Sequence, residues 1–172
     1  MKEKDSIMSS EKKPVETNRY SIFEYKKSNF IDLDHMGIEN RVVAGQISLH
    51  LESKSYATLR IRYNCYINYS VTVNKQLYLM FRLYRRDSKG LKKELISIPY
   101  TLSFNGTLGI ENENSFPSIH KNESFYMEYI DELNKSDLYI YEIELDLIYS
   151  DVDVSSIEGG FITIEGQITK NS

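Results

Sequence analysis

The sequence predicts an all-β protein: an antiparallel sandwich of two sheets, with the jelly roll as the favoured topology and an extended N-terminal arm. From residue 42 onward, apolar residues alternate with polar ones over most of the chain, which is typical of half-buried strands. Turn signals rich in Gly, Asn and Asp separate these stretches. In addition, no window of about 12 residues has the spacing of an amphipathic helix.

The alternation starts in residues 43–51, where Val43 and Gly45 are expected to share the apolar face, and is most regular in residues 57–73. In 57–73 every odd position is apolar or aromatic. Because this run is longer than a usual strand, we expect a bend, bulge or change of sheet at residues 64–68. After an alternating stretch at residues 77–83, the segment 85–90 predicts a hairpin loop that ends on a glycine.

The second half of the chain repeats the pattern. Residues 96–104 are apolar at even positions, with Pro99 on the other face, which predicts an edge strand or a bend. Residues 105–122 predict a loop, and further alternating stretches lie at 125–129, 139–147 and 162–168. Seven to nine antiparallel strands favour a jelly roll. An immunoglobulin-like sandwich stays open, because periodicity does not give connectivity.

Composition divides the 172 residues into an arm, residues 1–40, and a sandwich domain, residues 41–172. Residues 1–19 are polar and without periodicity, which is typical of a flexible arm. The rest of the arm contains short apolar pieces that are either edge strands or a segment that docks on a neighbouring molecule. Its candidate docking side chains are Tyr20, Ile22, Phe23, Phe30, Ile31 and Leu33.

The chain has neither the apolar run of a secretory signal peptide nor a stretch of about 20 apolar residues that would span a bilayer. We therefore expect synthesis in the cytoplasm and no membrane insertion. A spore or particle surface is still reachable by another route, such as cell lysis or assembly inside the mother cell of a spore.

No catalytic or metal-binding motif occurs in the sequence, so we expect neither an enzyme, a cofactor nor a metal site. The cluster Asp32-Leu33-Asp34-His35 has cation ligands but is better interpreted as an acidic loop entry. The pair Asp151 and Asp153 lacks the glycine-containing loop of a calcium site. Cys65, the single cysteine, lies on an apolar face and is expected to be buried and inert.

Charge is distributed unevenly along the chain. Residues 1–100 carry 18 Lys and Arg against 11 Asp and Glu, whereas residues 101–172 carry 3 against 14. Either cross-strand pairing joins the two groups within one domain, or two complementary faces drive association of identical subunits. Nucleic acid is not expected as a partner, because the net charge is −4. The candidate basic face is Arg82, Arg85, Arg86, Lys89, Lys92 and Lys93, and the candidate acidic face is Glu128, Asp131, Glu142, Glu144 and Asp146.

Four tyrosines lie on the polar sides of their strands and are predicted to be exposed: Tyr66, Tyr78, Tyr84 and Tyr126. Of these, Tyr84 and Tyr126 are the candidates to stack on a ligand such as a glycan. Ordinary strand propensity explains them equally well. The absence of tryptophan weakens the interpretation as a carbohydrate-binding protein.

Three C-terminal segments follow one another in a recurring rhythm: ESFYMEYID at 123–131, LYIYEIEL at 138–145 and FITIEG at 161–166. This pattern resembles jelly-roll structural proteins of the spore surface and exosporium of spore-forming bacteria. The resemblance implies a coat subunit, although this sequence lacks a collagen-like stalk and a Cys-rich terminus, so covalent cross-linking is not expected. Viral and phage jelly-roll structural proteins have the same rhythm.

The sequence thus favours a non-enzymatic, self-assembling structural protein, a subunit of a spore surface, fibre, filament or shell. It would form homo-oligomers through strand addition by the arm and through its charged faces. Under this hypothesis, deletion of residues 1–33 leaves a folded domain that no longer assembles. One alternative is a sandwich module that binds a carbohydrate or receptor, and another is a viral or phage capsid or fibre protein.

Overall fold

The computed structural model describes residues 17–38, 40–53, 55–71, 75–103, 119–152 and 154–171. No helix in these ranges is long and apolar enough to cross a membrane. Most of the predicted loop 105–122 lies outside them. The strands are β1 (Thr17–Lys27), β2 (Ile31–Asp32), β3 (Arg41–Leu51), β4 (Ser55–Val71), β5 (Gln76–Arg86), β6 (Lys92–Ser103), β7 (Ile119–Leu133), β8 (Asp137–Ser150) and β9 (Val154–Asn171).

The strands form two antiparallel sheets that pack as a sandwich. The five-stranded sheet has the order β1-β9-β4-β7, with β2 also paired to β9, and the four-stranded sheet has the order β3-β8-β5-β6. If the two-residue β2 is set aside, the first long strand pairs with the last, the second with the seventh, the third with the sixth and the fourth with the fifth. This nested pairing is that of a long antiparallel hairpin rolled into a jelly roll. The predicted fold is therefore confirmed.

The core lies between the sheets and is filled by the alternating positions that the sequence predicts. Along β4, the odd residues from Ala57 to Tyr69 are buried, and Cys65 is 3% exposed, as expected. Aromatic rings join the two layers: Phe81 stacks on Phe125 with ring centroids 3.9 Å apart, and Tyr63 lies 6.1 Å from Phe81. Burial of this apolar surface is the main stabilising contribution to the fold.

Two irregularities adjust the register of the long strands. The pairing of β4 with β9 shifts between Asn64 and Tyr66, which confirms the predicted irregularity in this stretch. The pairing of β3 with β8 shifts between Val43 and Gly45, so the expectation that these two residues share the apolar face is wrong. Because of this bulge, Ala44 is buried while Val43 is exposed.

Pro99 lies where the sequence places it, on an edge strand. Among the described strands, β6 is the outermost of the four-stranded sheet and pairs with β5 alone, in which Met80 lies opposite Pro99. The hairpin between β5 and β6 contains Gly90 with a φ of 80°, a left-handed conformation that favours glycine.

Two carboxylates on the inner face of β7 connect the sheets. Glu123 accepts hydrogen bonds from Tyr69 Oη (2.6 Å) on β4 and Tyr100 Oη (2.7 Å) on β6. These bonds hold the pKa of Glu123 below its ordinary value. Asp131 accepts hydrogen bonds from Arg85 Nη1 (2.7 Å) and Tyr141 Oη (2.8 Å) of the four-stranded sheet. Both ends of β7 are therefore attached to the opposite layer.

The described part of the predicted arm belongs to the sandwich. β1 pairs along its whole length with β9 of the same chain, from Thr17 opposite Asn171 to Lys27 opposite Phe161. The sequence left open whether the apolar pieces of the arm are edge strands or a segment that docks on a neighbouring molecule. In the structure, the described part forms an edge strand. Residues 1–16 lie outside the described ranges, and a domain boundary at residue 40 stays a prediction.

Candidate interaction surfaces

The arm side chains proposed for docking are divided between the surface and the core. Phe23 and Phe30 are 67% and 64% exposed, whereas Ile31 and Leu33 are buried. Ile22 is partly buried and packs against the core. The backbone of Tyr20 pairs with Ile168, and its side chain is not described. Phe23 and Phe30 are therefore the members of this set that present most of their surface to a second molecule.

The predicted basic and acidic residues meet on the outer surface of the four-stranded sheet. Its central strand β8 carries three carboxylates in a row, each only 6% exposed, and cationic side chains from β3, β5 and β6 cover them. We call this cluster the ion-pair strip. Its carboxylates belong to Glu142, Glu144 and Asp146, and its cations to Arg41, Arg82, Arg86 and Lys92.

Hydrogen bonds within the ion-pair strip compensate for the cost of burying its charges. Arg41 Nε and Arg82 Nε lie 2.7 and 2.8 Å from the Asp146 carboxylate, and Lys92 Nζ lies 3.1 Å from Glu142. Burial by itself raises the pKa of Asp146, but the two arginines hold it below its ordinary value. The strip therefore corresponds to the first of the two interpretations of the charge distribution, in which oppositely charged residues on neighbouring strands pair within one domain.

The remaining charged candidates lie elsewhere. Arg85 reaches into the sandwich to Asp131, and Lys89 and Lys93 are exposed at the β5–β6 end. Glu128 lies on the outer surface of the opposite sheet, where Arg62 Nε is 2.9 Å from its carboxylate. The two candidate sets thus do not form two separate faces.

Of the two candidate stacking tyrosines, one is exposed. Tyr126 is 56% exposed, as predicted, whereas Tyr84 is 9% exposed and the prediction for it is wrong. The Lys92 ammonium lies 4.1 Å from the centre of the Tyr84 ring, and the Tyr84 hydroxyl donates a hydrogen bond to Glu94 (3.0 Å). These neighbours come from β6 and cover the ring, which alternation alone does not indicate.

Four exposed rings cluster on the outer surface of the five-stranded sheet. The register places Phe161, Asn64 and Tyr126 side by side on β9, β4 and β7, with Tyr66 next along β4. Tyr25 of β1 meets Phe161 edge-to-face, with ring centroids 6.1 Å apart. We call this cluster the aromatic patch; its rings are Tyr25 (62% exposed), Tyr66 (48%), Tyr126 (56%) and Phe161 (38%).

Charged side chains of both signs surround the aromatic patch. Lys27 and Arg62 supply two positive charges, and Glu128 and Glu158 supply two negative ones. Arg62 also donates from Nη1 to Glu165 at 2.8 Å. The patch thus combines large apolar rings with charged neighbours of both signs. Sequence reasoning placed Tyr66 and Tyr126 on the polar sides of their strands but missed Tyr25 and Phe161. It did not show that the four rings are neighbours, because that depends on the order of the strands.

The acidic segments considered as cation sites have other partners in the fold. Asp32 Oδ2 lies 2.7 Å from His35 Nδ1, and Asp34 accepts a 2.8 Å hydrogen bond from the backbone N–H of Ser155. Asp151 accepts hydrogen bonds from the Gln76 backbone N–H and from the Tyr149 hydroxyl, and Asp153 lies outside the described residues. Across the part of the chain that the structure describes, no three His, Cys, Asp or Glu side chains are arranged to hold a metal ion.

No family model matches this sequence, and no curated protein matches it. Among solved structures, it is similar to the infectious bursal disease virus Gx strain, with 9% identity and a TM-score of 0.36 over 90% of this chain and 36% of that one. It is also similar to the VP2 subviral particle of that virus (10% identity, TM-score 0.20, 91% of this chain and 42% of that one). It is similar to the Gt strain of that virus as well, with 10% identity and a TM-score of 0.19 over 92% of this chain and 43% of that one. This chain spans less than half of each of those chains, and similarity at this level carries no function over to it.

Proposed function

We propose that this protein is a non-enzymatic structural subunit that self-associates through the aromatic patch. The observation that carries the proposal is the contrast between its two outer surfaces. One surface has its charges paired within the ion-pair strip, whereas the other exposes four large rings in one cluster. Such clusters on soluble proteins mark interaction sites, because their burial removes apolar surface from water.

The proposed occupant of the patch is a second copy of this chain. A two-fold axis brings the same patch from both subunits together, so the surface must be complementary to itself. The charges around the patch meet this condition: Arg62 lies on the central strand β4, with Glu128 on one neighbouring strand and Glu165 on the other. A rotated copy places its glutamates near the arginine of its partner, and the rings pack edge-to-face.

The edge strand β1 provides a way to extend this contact into a larger assembly. β1 is the outermost strand of its sheet, and Phe23 is exposed on it. An open edge accepts a further strand through main-chain hydrogen bonds. Dimers formed through the patch and joined at this edge would build a filament or a shell. We include in this proposal a location on the spore surface, which the C-terminal resemblance implies.

Sedimentation velocity over a concentration series tests the self-association. We expect the wild-type sedimentation coefficient to increase with concentration and that of the Tyr126→Ser/Phe161→Ser double variant to stay at the monomer value. Tyr149→Ser is the matched control, since Tyr149 is 43% exposed but lies on β8 of the other sheet. A wild type that is monomeric throughout, or a double variant that associates as well as wild type, contradicts the proposal.

Negative-stain microscopy of concentrated wild-type protein tests the larger assembly. The proposal predicts filaments, rings or closed shells, and their absence from samples of the double variant. Association that stops at the dimer would leave the patch as an interface but contradict the assembly role of the β1 edge.

A further inference from the structure

A second feature lies at the other end of the same outer surface, where β4 begins and β7 ends. Pairing of β4 with β7 stops at Ala57 opposite Leu133, where β7 ends. Residues at this end of the two strands line a cavity of about 580 Å³, and Tyr56, Glu132 and Asn134 are among them. We call this cavity, together with the adjoining one described next, the Tyr56 groove.

Tyr56 stands between two cavities. The second has a volume of about 290 Å³, and its lining includes Tyr56, Arg60 and Gln167. The Tyr56 side chain is 44% exposed, so it offers ring surface to both sides. Asn64, at the centre of the aromatic patch, is eight residues further along β4, which corresponds to about 26 Å of strand. The groove and the patch are therefore separate sites.

The polar groups of the groove suit a ligand rich in hydroxyl groups. Asn134 and Gln167 lie on opposite sides of Tyr56, and each amide can both donate and accept hydrogen bonds.

The charges of the groove disfavour an anionic ligand. Arg60 is a cation of the lining, and the carboxylates of Glu132 and Glu165 lie on either side of it. Nucleic acids also stack on aromatic rings, but they require a positively charged groove for their phosphates. The carboxylates can instead accept hydrogen bonds from neutral hydroxyl groups.

We infer that the Tyr56 groove binds a neutral oligosaccharide. One sugar ring packs its apolar face on Tyr56, and its hydroxyl groups bond to Asn134 and Glu132 on one side and Gln167 on the other. The volume of the larger cavity lies within the range of small-molecule sites. None of the four rings of the aromatic patch lines this site, which shares Glu165 with the proposed contact between subunits.

Saturation-transfer NMR and calorimetry with four neutral tetrasaccharides (cellotetraose, chitotetraose, mannotetraose and xylotetraose) test the inference. We expect at least one of them to bind. Tyr56→Ala should weaken that binding by about tenfold, the loss expected from one aromatic stacking contact. Asn134→Ala and Gln167→Ala should weaken it as well. Tyr149→Ala, which removes a similarly exposed tyrosine from the other sheet, should bind as wild type does.

Absence of binding by all four tetrasaccharides overturns the inference, and so does equal binding by wild type and Tyr56→Ala. Circular dichroism of each variant checks that the fold is intact. If Tyr56→Ala unfolds, Gln167→Ala takes its place in the test, because the Gln167 side chain is exposed and its removal should leave the fold intact. The Tyr126→Ser/Phe161→Ser variant must still bind the sugar. If that variant alone loses binding, the sugar site is the aromatic patch and the inference fails, whatever the oligomeric state.

Discussion

At the scale of single residues, the buried charges of this protein depend on partners that are distant in sequence. Asp131 is 6% exposed and receives hydrogen bonds from Arg85 and Tyr141. Burial, followed by the nearby Asp131 carboxylate, raises the pKa of the Tyr141 phenol above its ordinary value, so it remains a donor. The sequence singled out Asp131 and Arg85 as candidates for surface charge, but the structure pairs them inside the sandwich.

Replacing Asp131 by Asn should therefore destabilise the fold by about 3 kcal/mol, because the partly buried Arg85 loses its countercharge. The free energy of unfolding from urea titration is the measurement. Glu128→Gln, which alters an ion pair on the outer surface, is the control and should cost much less. Equal losses in the two variants would show that the Asp131 pair is not the connection between the sheets that we describe.

The single cysteine is also explained by burial. Loss of hydration raises the pKa of the Cys65 thiol to about 12, so almost no thiolate is present at neutral pH. Iodoacetamide should therefore react with Cys65 slowly in the native protein and rapidly in urea. Mass spectrometry over time measures the two rates. Rapid labelling without denaturant would contradict the buried position.

At the scale of elements, β9 approaches β4 so closely at Gly166 that there is no room for a side chain. A Cβ on Gly166 would lie 2.3 Å from the carbonyl oxygen of Thr58 and 3.0 Å from Cα of Leu59. Because both contacts are with backbone, the two strands would have to move apart.

Gly166→Ala should accordingly destabilise the protein by about 2 kcal/mol, the cost typical of overpacking. Gly45→Ala is the matched control, since a Cβ there meets its neighbours at ordinary distances of 3.6 Å and more. Thermal unfolding followed by circular dichroism compares the two variants. A melting temperature of Gly166→Ala at or above that of Gly45→Ala would contradict the close approach.

The ion-pair strip of β8 predicts a loss of stability in acid. Burial raises the pKa of Glu142 and Asp146, but hydrogen bonds from Lys92 and from Arg41 and Arg82 lower both values below those of the unfolded chain. A lowered pKa contributes stability above the pKa of the unfolded state, and this contribution disappears as the pH falls through the folded value. The melting temperature should therefore fall as the pH decreases below about 4.

Asp146→Asn removes one of these carboxylates and provides the check. The variant should be less stable than wild type at about pH 7, and the difference should shrink as the pH falls below about 4 and the wild-type carboxylate becomes protonated. Melting temperatures across this range measure the difference. A difference that is constant with pH would exclude the proposed linkage.

At the scale of the whole molecule, the N-terminal strands belong to the sandwich and contribute to its stability. Deletion of residues 1–33 removes β1 and β2 from β9, along with the buried side chains of Ile31 and Leu33. We expect this deletion to lower the melting temperature strongly, in contrast to the folded domain predicted by the strand-addition hypothesis. Deletion of residues 1–16 keeps every described strand and should leave the melting temperature near that of wild type.

Calorimetry of the two deletions tests this. A deletion of residues 1–33 that melts like wild type would restore the arm as a separate unit and would contradict the role of β1 in the five-stranded sheet.

Some features of this fold were predictable from short stretches of sequence because they are local. Alternation in 57–73 identifies the core-facing side chains of β4, including Cys65. Pro99 indicates an edge strand because it lacks a backbone donor. The same kind of reasoning failed for Tyr84, whose ring is covered by Lys92 from a neighbouring strand. It also missed the bulge at Ala44, because of which Ala44 is buried and Val43 is exposed.

The amino-acid sequence by itself determined the fold class, since side-chain alternation follows from the geometry of a single strand. Only the tertiary structure decided which strands are neighbours, because strand order depends on pairing between segments far apart in the chain. That order assembled the ion-pair strip from residues predicted to form two faces. It also brought Tyr25, Tyr66, Tyr126 and Phe161 together from four separate strands, and so created the surface on which the proposed function rests.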